Sequence, residues 1–148
     1  MNCLSHPFAT IESREQALAM TRYSAFGFAL WAVVLLGQGA LVSGGFGSEP
    51  EEYRAATTGF AVLSGILAAV AALIQWRKPN RILPVFGLAW SLYELSSLSV
   101  GLMVGMPMAM GGLPAWAAAI SAGAMLVCAW LHVGGLRGST SLARYSQA

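Results

Sequence analysis

Between Arg22 and Glu49 this chain carries no Asp, Glu, Lys or Arg, and the apolar run from Tyr23 to Val42 fills most of that interval. About twenty helical residues, rising about 1.5 Å each, cross the roughly 30 Å of hydrocarbon in a bilayer. The pattern recurs. Ala55 to Trp76 gives 22 uncharged residues between Arg54 and Arg77, and Ile82 to Leu136 gives 55 residues with a single charge, Glu94. The last stretch is too long for one helix, and Gly105, Pro107, Gly111, Gly112 and Pro114 mark a turn within it. Four spans are expected, at about 22–43, 55–76, 82–104 and 114–136. They make one transmembrane domain, 21–137, between a leader, 1–20, and a tail, 138–148. Hydrocarbon offers backbone groups no partners, and four segments cannot close a barrel, so the spans are expected to be helices. The expected fold is an all-α integral membrane four-helix bundle.

Composition agrees. Of 148 residues 57% are hydrophobic and 9% charged, whereas a soluble domain carries about 25% charged residues. Lipid is therefore the expected neighbour of most of the surface. A net charge of +2, with no basic patch interleaved with aromatics, argues against nucleic acid as a partner. Cys3 and Cys128 are far apart and show no CxxC or zinc spacing, so neither a disulfide framework nor a structural metal is implied. About twenty residues, Glu12 and Glu15 among them, precede the first apolar run. A cleaved secretory signal opens on a short basic region instead, so the first span is expected to be retained. Phe8, Ile11 and Leu18 recur at helical spacing, which predicts a short helix in the membrane interface.

Orientation follows from Lys and Arg. Arg14 and Arg22 lie in the leader, Arg77, Lys78 and Arg81 in the second loop, and Arg137 and Arg144 in the tail. Arg54 alone lies on the other side, beside Glu49, Glu51 and Glu52. Both termini are expected to be cytoplasmic, and the expected location is a bacterial inner (plasma) membrane.

Glu94 is the most conspicuous polar residue. It lies about twelve residues into the third span, roughly 15–18 Å deep. A charged carboxylate there costs several kcal/mol, so it must face the bundle interior, meet water or hold a proton. Gly87, Trp90, Ser91, Ser97, Leu98 and Gly101 share its face, which is small and polar enough for close helix approach. Trp31, Trp90 and Trp130 sit about 9–14 Å from the basic ends of their spans, deeper than an interfacial belt. Beside Glu94 they are candidate walls for a lipophilic cation; packing against neighbours or lipid is the alternative.

Met106, Met108 and Met110 place three thioethers in the loop after the third span. Soft thioethers suit Cu(I), although methionine also fills apolar space. Cys128 and His132 share a face of the fourth span. They lack a third partner, so His132 is expected at the interface and Cys128 as a small core residue. Gln38 and Gln75 are expected to hydrogen-bond between helices. Ala61, Gly65, Ala68, Ala69 and Ala72 give the second span small-xxx-small spacing for close contact.

No GxGxxG, Walker loop, GxSxG or HExxH occurs, and Asp is absent. No cofactor is implied, and an enzyme is the least expected class. Four short helices, one membrane carboxylate and aromatic neighbours form a physical design that resembles the small multidrug-resistance transporters. Their carboxylate lies in the first helix and Glu94 in the third, so no residue role carries over. The leading expectation is a small-molecule or cation binding or transport protein using Glu94, working as a homodimer because four helices enclose little volume. An accessory or assembly subunit of a larger membrane complex comes second, and Cu(I) handling third.

Overall fold

The computed structural model describes residues 10–46, 50–103 and 113–145. They form five helices: α1 (Arg14–Thr21), α2 (Tyr23–Ser43), α3 (Glu51–Arg77), α4 (Ile82–Met103) and α5 (Ala115–Tyr145). No strand occurs among the described residues. Arg22 alone separates α1 from α2, and its own backbone is helical (φ −71°, ψ −14°). The two therefore run on as one helical stretch of 30 residues.

That stretch, α3 and α5 are each long and apolar enough to cross a membrane. α4 has the length, 22 residues. Four serines, Tyr93 and Glu94 interrupt its apolar sequence, and among the described residues three of the four expected spans are supported by length and composition together.

Local chemistry sets the helix ends. Ser13 Oγ accepts from the Gln16 N–H at 3.2 Å, and Gln16 Oε1 accepts from the Glu12 N–H at 2.8 Å. These bonds satisfy amides that the first turn of α1 leaves open. α2 closes with the Phe46 N–H donating to Leu41 O and the Gly45 N–H to Val42 O, both at 3.0 Å. This Schellman pattern needs a left-handed residue, and Gly45 supplies it at φ +77°. Glu51 and Glu52 open α3 and Arg77 lies in its last turn, each sign matching the helix dipole. Asn80 Oδ1 accepts from the Ile82 and Leu83 N–H groups, both at 3.0 Å, and starts α4.

α2 packs on α3, α5 packs on α1, α2 and α4, and α2 meets α4 over a short stretch. α3 and α4 share no extended interface, so α2 and α5 form the middle of an arc with α3 and α4 at its flanks. Small residues make the close approaches. Ala61, Gly65 and Ala68 are the buried face of α3, as the small-residue spacing predicts, and a Cβ at Gly65 would come 2.9 Å from Leu36 Cγ on α2. On α5 the contact runs through Gly135, where a Cβ would sit 2.6 Å from that of Ser24, and Gly138, which meets the Thr21 backbone.

The polar ties are those expected of Gln38 and Gln75. Gln38 Nε2 donates to Ser121 Oγ at 3.0 Å, joining α2 to α5. Gln75 is fully buried; its Nε2 donates to Thr21 O and Asn80 O, each at 3.1 Å, and its Oε1 accepts from the Asn80 N–H at 3.3 Å. One amide thus locks the end of α3 to the α1–α2 junction and to the turn into α4. The outer faces are apolar: Val33, Phe60, Leu63, Ile66, Ile120 and Leu126 are all exposed, which suits lipid and not water.

Two expectations change. The leader helix begins at Arg14 and docks on protein, with Ala17, Met20 and Thr21 buried where α1 meets α5. Ile11 precedes it, and Phe8 lies outside the described residues. The tail is no separate segment from residue 138, because α5 continues to Tyr145 and buries Gly138 and Ser139. Arg137 does not end the helix, since α1 supplies a surface for the following turns.

Gly138→Ala places a methyl group against Thr21 and 2.7 Å from Ala17 O, where backbone cannot yield. It is expected to destabilise the fold by about 1–3 kcal/mol in denaturant titration of detergent-solubilised protein. Gly123→Ala, with nothing within 4 Å of the new Cβ, is expected to leave the midpoint unchanged.

Candidate functional site

Three helices converge where α5 presents Met125, Cys128 and His132, spaced to share one buried face. α2 answers with Ser24, Gly27, Phe28 and Trp31, all buried, and α4 with Gly87, Trp90 and Ser91. Phe28, Trp31, Ala32, Ala68, Met125 and Cys128 are the apolar core here, with Trp90 and Leu95 packed against it.

His132 is the pivot, and it is fully buried. Its Nδ1 lies 2.7 Å from Ser24 Oγ; which of the two donates depends on the tautomer. Its ring meets the edge of Phe28 at 4.6 Å between centroids. Glycines admit the imidazole on two sides: a Cβ at Gly27 would lie 3.0 Å from Cε1, and one at Gly87 would lie 2.5 Å from Nε2. The Cys128 thiol donates to Gly27 O at 3.2 Å. Cys128 is thus the small core residue that its sequence position implies. His132 is not the interfacial residue expected, because Gly27 and Gly87 open a slot for it between α2 and α4.

From His132 an aromatic file crosses the fold. Phe28 and Trp31 stack at 6.2 Å, one turn apart on α2. Trp31 then meets Trp90 of α4 at 5.3 Å, with ring planes inclined by 39°. Phe86 and Tyr93 flank Trp90 at 6.0 and 5.9 Å. The Nε1 atoms of Trp31 and Trp90 and the Nε2 of His132 are buried without a hydrogen-bond partner. Buried donors are nearly always paired; Arg22 Nε and Thr58 Oγ1 are likewise without a partner elsewhere, so the ring nitrogens stand out by lying side by side along one file.

Glu94 follows Trp90 by one helical turn and is half-buried. Its carboxylate approaches the Trp90 indole, although Nε1 completes no hydrogen bond of good geometry. The arrangement combines an indole donor without a partner at Trp31, an acceptor carboxylate beside the Trp90 indole, and adjoining ring faces. A small molecule with a cationic end and an acceptor atom would satisfy all three.

Of the residues singled out from sequence, the structure brings together Trp31, Trp90, Ser91 and Glu94. Ser91 is buried, but its hydroxyl donates to Gly87 O at 2.8 Å within its own helix. Ser97 is half-buried further along α4. Trp130 does not join: it is 42% exposed and packs outside the core cluster. Depth alone placed it with the other tryptophans, and its helical phase, two residues from both Cys128 and His132, turns it away. Met106, Met108 and Met110 lie outside the described residues. Among the described residues no three His, Cys, Asp or Glu side chains gather as a metal site.

No family model, curated protein or solved structure matches this chain.

The slot around His132 is testable as a coupled unit. Gly87→Ala collides with the imidazole and is expected to destabilise by about 1–3 kcal/mol. In a His132→Ala background the same change is expected to cost far less, giving an interaction of about 1 kcal/mol or more in a double-mutant cycle read by denaturant titration.

Proposed function

We propose that this chain is a small multi-pass membrane protein that binds, and as a dimer transports, a small lipophilic cation at Glu94 and the Trp31–Trp90 pair. The observation that carries this reading is the pair itself: two indoles from different helices in ring contact, the Trp31 Nε1 without a partner and the Trp90 indole set against the carboxylate of Glu94. Polar atoms left unpaired in a membrane interior are costly, so their retention is best explained by an occupant. Ring faces attract a cation, and Glu94 supplies its counter-charge. Four helices reach from one side to the other, with seven of eight basic residues and both ends in the cytoplasm.

The helix arrangement supports a dimer. α3 and α4 flank the arc, and α4 presents Leu92, Tyr93 and Val100 outward beside half-buried Glu94. A second copy against α4 would enclose the carboxylate that one copy leaves partly open. The same open flank favours a second reading, a subunit of a larger membrane assembly whose neighbour covers α4. Gentle detergent extraction separates them: a particle of two copies supports the first, and stoichiometric co-purifying subunits support the second.

Tetraphenylphosphonium, a lipophilic cation without an acceptor atom, probes the ring faces and the counter-charge of Glu94 apart from the indole donors. A cation and a proton compete for one carboxylate, so its binding is expected to weaken as pH falls. Glu94→Gln is expected to reduce affinity at least about tenfold, corresponding to about 1.4 kcal/mol, and to abolish the pH dependence. His132 and Cys128 are the other titratable groups on the packed faces, and His132→Gln is expected to keep that dependence. Full affinity with unaltered pH dependence in Glu94→Gln overturns the reading.

Topology is checked separately. With Cys3 replaced by Ser, an impermeant maleimide applied to intact cells is expected to label Tyr53→Cys and to spare Lys78→Cys until the cells are opened.

A further inference from the structure

The basic end of the molecule holds a second site, which touches the aromatic file only at Phe86. α1 docks on α5 and the turn between α3 and α4 closes over both, leaving a cavity of about 400 Å³. Its wall includes Arg14 from α1, Asn80 and Arg81 from the turn, and Ser139 and Leu142 from α5. A second cavity of about 690 Å³ shares Arg81 and runs along the α4–α5 surface past Ile82, Val85, Phe86, Leu136 and Thr140.

The two differ in chemistry. The first offers two guanidinium groups, an amide and a hydroxyl. Neither Arg14 nor Arg81 is paired with an acid among the described residues, and Glu12 and Glu15 do not line the cavity. The second is walled by aliphatic and aromatic side chains, of which Ile82, Val85 and Phe86 are at least half-exposed or nearly so. Ile82 to Phe86 is the first turn of α4, so this trough leaves the charged rim and descends about 6 Å into the apolar zone.

A cationic cup opening onto an apolar trough matches one class of molecule. We infer that an anionic phospholipid occupies it, with its phosphate held by Arg14 and Arg81 and one acyl chain laid along α4 and α5. The inference rests on the membrane setting but not on a ligand at Glu94. A free phosphate or a soluble phosphorylated metabolite shares the headgroup chemistry but has no use for the trough. Arginine suits the cup because its planar donor fork engages phosphate oxygens in pairs. Basic pockets between helices at a membrane face bind anionic headgroups in this way. Docking of α1 on α5 brings Arg14 into one lining with Ser139 and Arg81.

Native mass spectrometry of the full-length protein in neutral detergent tests this, with phosphatidylglycerol, phosphatidylcholine, glycerophosphoglycerol and inorganic phosphate as probes. Phosphatidylglycerol is expected to be retained at least about tenfold better than phosphatidylcholine, and the two chain-free probes not at all. Arg14→Gln with Arg81→Gln is expected to remove the preference, whereas Arg54→Gln, in the first turn of α3, keeps it. Val85→Trp fills the trough without touching the charges and is expected to weaken retention of both lipids. Equal retention of the two lipids by the native chain, or an unchanged preference in a double variant that keeps its helical circular dichroism, overturns the inference. Binding of the chain-free probes as tight as that of phosphatidylglycerol overturns the lipid as source and leaves a soluble phosphate site. Tetraphenylphosphonium binding by the double variant stays native if the Glu94 site is real, so the two readings fail independently.

Discussion

Close helix approach through missing side chains is the constraint on which this structure depends. In lipid no hydrophobic force drives one apolar helix against another, so association rests on contact area and on hydrogen bonds made within reach. α5 meets that requirement with Gly134, Gly135 and Gly138 beside α1 and α2, and α3 meets it with Ala61, Gly65 and Ala68 beside α2. Backbones brought this near let short polar side chains bridge helices, as Gln38 does to Ser121 and Ser24 to His132. The same closeness admits a bulky imidazole only where Gly27 and Gly87 leave a slot.

With that frame satisfied, the unsatisfied groups carry information. Gln75 uses both ends of its amide, the Cys128 thiol finds Gly27 O, and Ser91, Ser96 and Ser99 bond back to their own helix. Arg22 Nε and Thr58 Oγ1 are also buried without a partner, so the open nitrogens of Trp31, Trp90 and His132 are set apart by their shared place along one file. His132 Nε2 is covered by Gly87, with no room for a ligand atom, so it belongs to the packing of the slot. The two indoles differ, because Trp90 is only half-buried and borders the carboxylate of Glu94. The ligand reading therefore attaches to the indole end of the file and not to the imidazole end.

Much of the architecture was legible because charge marks where hydrocarbon stops. Arg22, Arg54, Arg77 and Arg81 lie within a few residues of the ends of α2, α3 and α4, and glycine with proline marked the break before α5. What charge could not convey was protein covering protein. Arg137 looked like the end of a span, yet α5 runs on to Tyr145 because α1 lies beside it. The site was half legible for a related reason. Spacing along one helix joined Trp90, Ser91 and Glu94, and depth matched Trp31 to them, but depth says nothing of rotation, so Trp130 was grouped with residues it turns away from. His132 was misplaced because the glycines that shelter it sit on two other helices, at Gly27 and Gly87, and no local pattern ties three separate segments.

α4 is where these arguments meet. It carries four serines and a carboxylate in an otherwise apolar sequence, and it packs chiefly on α5. Ser96 and Ser99 mask their hydroxyls by bonding to Leu92 O and Leu95 O, each at 2.8 Å, so much of its polar burden is settled internally. Glu94 is not settled that way, since a carboxylate has no hydrogen to donate to a helix carbonyl, and its carboxylate approaches the Trp90 indole. The helix is held in place by Gly87 against His132, by the Asn80 cap and by Trp90 against Trp31, all within its first three turns. Beyond Trp90 the described ties are thinner: Leu95 packs on the core, Ser97 and Leu98 are half-buried, and there α4 carries its acid. A carboxylate half-buried on a helix at the flank of the arc is the arrangement expected where a bound molecule or a second chain completes the environment.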